Sequence, residues 1–449
     1  MGLLRLLLAT SVFVAHTQPL FGLPFIGGQV AVQSFYVLSG FYMALILHEK
    51  YTGRRARVAF WRSRLLRIFP SYIVISLLAL VAVFLFHADP YDSWAHAGHI
   101  TPLTLLTLIG TQITILGMDV LLFLGYDTQT GSLAPHGDVT TSSFFLLQTA
   151  WTLGVEMWFY LLAPFIVRRR LRVVATFILA SIALRLLFAF AGFSGGVWVY
   201  RFFPFELVFF LLGVMTYRLY AFLHFRTIHA LWKVPAWLFA FTITTTLGLF
   251  VEDGWIRLFV YLGILTPLLP LLFAITKQSK IDRLLGDLAY PVYLSHFLFM
   301  ELNRRLLFAD SNIDILLATL LFSLLLVLFV ESPLYELRQH LARATGRVQH
   351  VSLRLLLAVV FVGASIILLY FWKISPPVTN EDLMAERFLE WSETISDPSV
   401  PAVVFQDMSI SHEDVRHILL DRSAENADTR AKLLSVLMLQ EWARTHPAE

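Results

Sequence analysis

Apolar residues in this chain come in long unbroken runs, separated by short polar or basic stretches. A membrane-crossing helix needs about 20 mostly apolar residues. Runs of that kind lie near 3–25, 28–48, 70–88, 143–167, 171–192, 196–217, 235–251, 255–275, 288–307, 312–330 and 354–373. They predict an all-α polytopic membrane protein of about 10–11 transmembrane helices. The first run is interrupted by His16, Gln18 and Pro19. The apolar stretch 102–125 carries Gly110, Gln112 and Asp119 and reads as an amphipathic or re-entrant piece. Because the runs are continuous and do not alternate, a β-barrel is excluded.

Composition agrees. Hydrophobic residues make up 57% of the 449 residues and charged residues only 14%, whereas soluble domains carry about 25% charged residues. Disorder, collagen-like repeats and a lone nucleic-acid-binding domain are excluded on the same grounds. The absence of cysteine rules out disulfides, thiolate metal sites and a cysteine nucleophile. No metal and no tightly bound cofactor are expected.

The basic residues set the expected orientation. Lys50, Arg54, Arg55, Arg57, Arg62, Arg64 and Arg67 follow the second run, and no Lys or Arg occurs from Ser71 to Val167. Arg168, Arg169, Arg170 and Arg172 then arrive together, and later basic clusters alternate in the same sense. This predicts a cytoplasmic N-terminus in a cell inner membrane, with segment 89–142 outside. Arg304 and Arg305 fall on the wrong side of this scheme. The N-terminal run lacks a good cleavage site and is expected to be retained as a span. Residues 1–374 read as the membrane domain, and 375–449 as a small helical tail outside the membrane. The tail has helical patterns near 380–394 and 411–445 separated by Pro398 and Pro401.

Charged groups inside spans cost roughly 2.5–3.5 kcal/mol each on insertion scales, so each needs a reason. Arg5, His16, Glu156, Arg185, Arg201, Glu206, His296, Glu301 and Glu331 stand out. Arg5 and His16 are eleven residues apart, close to three helical turns, so they share a face about 16 Å apart along the axis. Arg5 as a lipid-snorkelling residue and His16 as a packing histidine remain open beside a functional reading. Arg64 and Arg67, at i and i+3, suit either an anionic ligand or ordinary basic topology. Arg185 and Glu206 fall at similar depths and are expected to pair. Gly286 and Pro291 before His296 suggest a helix start or kink.

Taken in order, these residues resemble the membrane-bound acyltransferase family 3, which O-acylates surface polysaccharides and related acceptors. Arg5 and His16 match its R-x10-H signature, and Phe35 to Phe41 is similar to F-F-V-L-S-G-F with Tyr36 for the second Phe. Arg64, Arg67 and Pro70 resemble R-x-x-R-I-x-P, and Trp151 to Tyr160 resembles W-S-L-x-V-E-x-x-F-Y with Thr152 for Ser. Arg201 to Gly213 loosely matches R-x-x-E-F-x-x-G. Leu285 to His296 resembles L-G-x-x-S-Y-x-x-Y-L-x-H with Ala289 for Ser, and Glu331 with Pro333 matches the closing E-x-P. The resemblance covers about 3–335 and leaves the tail unexplained.

The resemblance implies an acyl-CoA donor, acetyl-CoA by expectation, reached from the cytoplasm. It implies a glycan or lipid-linked glycan hydroxyl as acceptor on the outer side. His16, a residue type whose ordinary pKa is near 6.5, suits a general base, with His296 as a second base candidate. Arg5 suits donor orientation or oxyanion stabilisation, Glu156 orientation of His16 or the acceptor, and Arg64 with Arg67 the CoA phosphates. Direct transfer and an acyl-enzyme both stay open. The rival class is a transporter of an anionic metabolite or lipid-linked glycan, and a third reading is a scaffold recruiting a partner through its tail.

Overall fold

In the computed structural model, residues 1–52, 56–135, 137–191, 198, 200–223, 233–252, 254–306 and 311–333 are described. The expected eleventh span at 354–373, the tail and its two helical patterns lie outside them. Ten long helices dominate the described residues: α1 (Gly2–Ala15), α2 (Gly28–Glu49), α3 (Ala56–Phe86), α7 (Trp151–Ile166), α8 (Leu171–Phe190), α9 (Phe203–Leu223), α10 (Lys233–Phe250), α11 (Trp255–Thr276), α12 (Lys280–Leu306) and α13 (Asn312–Leu326). The last continues as a π-helical turn to Glu331. Six helices are long and apolar enough to cross a membrane by length and composition. The molecule is an all-α polytopic membrane protein, as the apolar runs predict.

Several boundaries differ from the apolar pattern. Helix α1 stops at Ala15, where the polar His16-Thr17-Gln18-Pro19 stretch begins and Pro19 withholds a backbone donor. Helix α3 starts at Ala56, not near 70, so Arg62, Arg64 and Arg67 belong to one helix that runs on through Pro70. Helix α7 starts at Trp151, not near 143. Arg201 precedes α9, which begins at Phe203 with Pro204 in its first turn, where a missing N–H costs nothing. Helix α12 begins at Lys280 and carries Gly286 and Pro291 in its interior.

Between α3 and α7 the chain forms α4 (Tyr91–Ala95), α5 (Pro102–Thr114), α6 (Met118–Leu121) and a small antiparallel sheet, β1 (Gly125–Asp127), β2 (Ser132–Ala134) and β3 (Val139–Thr140), in the order β2-β1-β3. Thr101 caps α5 by accepting from Thr104 N–H. Left-handed backbone at Ile115 and Gly117 then turns the chain, and Asp119 is buried against Gly154 of α7. Tyr72 Oη donates to Gln112 O at 2.6 Å, and Gln112 Oε1 accepts from Leu146 N at 2.7 Å. The stretch 102–125 is therefore two short helices and a turn, with Thr104 and Leu108 of α5 buried and Leu103 and Leu106 exposed.

Two helix pairs set the frame. A Cβ on Gly286 of α12 would lie 2.9 Å from Gly2 Cα of α1, and one on Gly2 would overlap Asp282 O at 1.5 Å. Only glycine lets these backbones touch. Fourteen residues further along both helices, His16 meets His296, so α1 and α12 run parallel. The same device joins α2 and α9: a Cβ on Gly40 would lie 1.8 Å from Phe210 O, and one on Gly213 1.9 Å from Val37 O.

Buried charge is neutralised in pairs. Arg185 of α8 donates to Glu206 Oε1 at 2.5 Å, and Gln33 Nε2 of α2 donates to Glu206 Oε2 at 3.1 Å. The Arg185–Glu206 pair expected from depth is present, and it ties α2, α8 and α9 together. Arg304 and Arg305, misplaced by the basic-loop scheme, both donate to Glu301 and lie near Asp89 and Asp92. Three carboxylates offset that basic pair. Burial and the neighbouring Glu301 charge raise the Asp89 carboxyl above its ordinary range.

Candidate active site

Of the singled-out residues, His16, His296, Glu156 and Glu331 fall along one polar file through the bundle, whereas Arg185, Glu206 and Glu301 belong to the separate charge pairs above. On α12, Asp287, Tyr290, Tyr293 and His296 recur at three-residue spacing, a stripe that winds through about 180° of the helix surface. On α7, Thr152, Glu156 and Tyr160 recur at four-residue spacing. From Asp287 to His296 the rise is about 13–14 Å. Below, "the N-terminal face" means the side of the bundle where α1 begins.

At the far end stand the two histidines. His16, immediately after α1, is solvent-exposed, and among the described residues neither of its ring nitrogens has a hydrogen-bond partner. Its ring stacks on that of His296, with centroids 5.9 Å apart and planes at 26°, and packs on Phe297 at 4.6 Å. His296 is fully buried. Its Nδ1 meets Tyr293 O at 2.7 Å, while Nε2 is buried without a partner among the described residues. A carbonyl only accepts, so Nδ1 carries the proton of the neutral ring and Nε2 keeps a lone pair. Tyr293 Oη is within 2.9 Å of Thr152 Oγ1, which in turn donates to Thr149 O at 2.9 Å.

Midway, Glu156 Oε1 accepts from Ser39 Oγ at 2.6 Å and from Tyr160 Oη at 2.5 Å. No hydrogen bond joins Glu156 to His16 among the described residues. Phe35, Ser39 and Tyr42 of α2 are half-buried, while most α2 residues between them are buried. These three share a face at i, i+4 and i+7, and Ser39 on it bonds Glu156.

At the N-terminal face, Arg67 is held by protein carboxylates. It bonds Glu331 and meets Asp287 Oδ1 at 3.3 Å, and Ser71 Oγ donates to Glu331 Oε1 at 2.7 Å. Its i, i+3 neighbour Arg64 has no carboxylate partner among the described residues. The Arg64 guanidinium lies 6.0 Å from the Phe60 ring centroid, and its Nε is buried and unpartnered. Arg5, half-buried beside Gly286, also lacks a carboxylate partner. Arg5 therefore sits about 16 Å from His16 along α1, at the opposite end of the file.

The chain's own motifs and the bundle's geometry meet a family comparison here. A family model described as an acyltransferase domain matches residues 1–332. The chain belongs to the acyltransferase 3 family. It is a membrane acyltransferase. No curated protein and no solved structure matches the chain at a significant level.

Within this acyltransferase, the sequence reading singled out Arg201 as a charge in an apolar run without giving it a role, and gave no role to Tyr293, Thr152, Ser39 or Tyr160. Arg201 lies 5.1 Å from the Trp151 ring centroid and 5.3 Å from that of Tyr200. Polar residues repeating at helical spacing inside apolar helices were the signal that points to the others. Arg201 is marked locally as a charge inside an apolar run, but its packing on Trp151 is decided by tertiary structure.

Proposed function

We propose that this acyltransferase moves an acyl group, acetyl by expectation, from acyl-CoA to a hydroxyl of a glycan or lipid-linked glycan in the cell inner membrane. The donor enters at the N-terminal face, taken as cytoplasmic, and the acceptor approaches His16 from the other side. The observation that carries this reading is the exposed, unbonded His16 at one end of a polar file whose other end holds the carboxylate-free guanidinia Arg5 and Arg64.

Each part has a chemical task. Arg64 and Arg5 attract the CoA phosphates, whose oxygens accept charge-assisted hydrogen bonds. Arg67, already paired, fixes α3 against α12 and the Glu331 turn, and so sets where Arg64 points. Ser39, Glu156 and Tyr160 line the passage that the pantetheine arm follows. His16 takes the proton of the acceptor hydroxyl as its oxygen attacks the thioester carbonyl carbon. The C–S bond then breaks, and the leaving thiolate recovers that proton from the imidazolium. His296, with its tautomer fixed by Tyr293 O, supports the exposed ring from below and holds a second lone pair at the same height.

The test uses purified full-length protein with acetyl-CoA, following release of CoA thiol. The chain contains no cysteine, so every thiol detected is CoA. His16→Ala is expected to lower kcat by about 100- to 10,000-fold, the usual contribution of a positioned base. Wild-type turnover in the His16→Ala protein would overturn the base assignment.

A further inference from the structure

On the side of the bundle where α1 ends, the described arginines are nearly all spoken for. Arg185 pairs with Glu206, Arg304 and Arg305 with Glu301, and Arg257 donates to Val251 O at 2.8 Å. Arg201 differs. Its Nη2 donates to Tyr200 Oη at 3.4 Å, and among the described residues no carboxylate lies within ion-pair distance. Its Nε is buried without a partner. Its planar group is held against Trp151 and Tyr200, at 5.1 and 5.3 Å from the ring centroids, which fixes its orientation without neutralising it.

Its surroundings are the far end of the polar file. Trp151, on which Arg201 packs, directly precedes Thr152, whose Oγ1 lies 2.9 Å from Tyr293 Oη. Tyr293 packs on His296 at 6.1 Å, and His296 on His16. The fully buried His296 adds a second unpartnered polar atom, Nε2, at this place. A guanidinium with no carboxylate partner among the described residues, linked through Trp151, Thr152, Tyr293 and His296 to the imidazole of His16, has the make-up of a site where negative charge develops.

We propose that Arg201 is a catalytic residue of the acyl transfer, receiving the acyl carbonyl oxygen as it becomes an oxyanion. This rests on the acyl-CoA reading above. The attacking oxygen gives its proton to His16 and bonds to the carbonyl carbon, and the C=O π pair moves onto the oxygen facing Arg201. Collapse restores the carbonyl, breaks the C–S bond, and returns the proton from His16 to the thiolate. Arg5 cannot serve here, because it lies at the opposite end of α1.

The experiment measures acetyl-CoA hydrolysis by full-length wild type, Arg201→Gln and Arg201→Lys, with thermal unfolding of each. Water is the nucleophile in this assay, so no acceptor need be known. The expected result is a kcat loss of roughly 100- to 1,000-fold for Arg201→Gln, an acetyl-CoA KM within about threefold, and partial recovery in Arg201→Lys. Such a kcat-only loss marks an interaction made in the transition state. If Arg201→Gln fails to fold, Arg201→Lys carries the same kcat-against-KM reading. A variant with wild-type kcat, or a loss confined to KM, overturns the Arg201 role alone. A wild type that releases no thiol overturns the acyl-CoA reading, and the Arg201 role with it.

Discussion

His16 and His296 stand at the same height because α1 and α12 touch at one end and rise together. Gly2 lies on Asp282 and Gly286, and fourteen residues on from Gly2 and from Asp282 the two imidazoles stack at 5.9 Å. Fourteen residues of α-helix rise about 21 Å in each case. The two imidazoles are thus aligned by a backbone contact at the opposite end of the bundle.

That alignment makes Gly286 a sensitive position. A side chain there meets Gly2 Cα at 2.9 Å, which is backbone and cannot rotate away. Gly286→Val should cost about 1–3 kcal/mol as overpacking, read as a lower melting temperature in detergent. It should also lower thiol release, because tilting α1 moves His16 off His296. An unchanged melting temperature and rate would mean that the two helices do not meet at this point.

The Glu206 cluster should behave as a structural lock. Glu206 is fully buried, with Arg185 and Gln33 as its partners. Glu206→Ala removes the buried carboxylate that Arg185 and Gln33 share and should cost about 3–5 kcal/mol, while an Arg185→Met, Glu206→Leu double variant should recover much of that loss. Thermal unfolding of wild type and both variants decides it. Equal losses in single and double variants would show that the pair itself carries the energy.

Arg64 and Arg67 carry the same side chain in one motif but should respond differently. Arg67 bridges Glu331 and Asp287, so Arg67→Gln should lower the melting temperature. Arg64 has no carboxylate to lose, so Arg64→Gln should keep wild-type stability and raise the acyl-CoA KM by roughly tenfold, in line with loss of one charged hydrogen bond of about 1.5 kcal/mol. Donor titrations and melting curves on both variants test this. A stability loss in Arg64→Gln with unaltered KM would remove Arg64 from the donor site.

The sequence alone settled the solvent this protein folds in. Long apolar runs with 14% charged residues leave too little polar surface for water. The ordered motifs, from Arg5 and His16 to Glu331 and Pro333, also carried the family. Depth counting along helices paired Arg185 with Glu206, because position along a helix is a one-dimensional quantity that a sequence contains.

What a sequence does not contain is which helices are neighbours. That Arg67 is engaged by Glu331 and Asp287, that Glu156 bonds Ser39, and that Arg201 from the segment before α9 packs on Trp151 of α7 all depend on contacts between distant segments. In lipid those contacts are chosen by close backbone packing at glycines and by the need of each buried charge for a partner. The arginines exposed the difference: composition fixed how many there are, and only the packed bundle decided which are neutralised and which are left to meet a substrate.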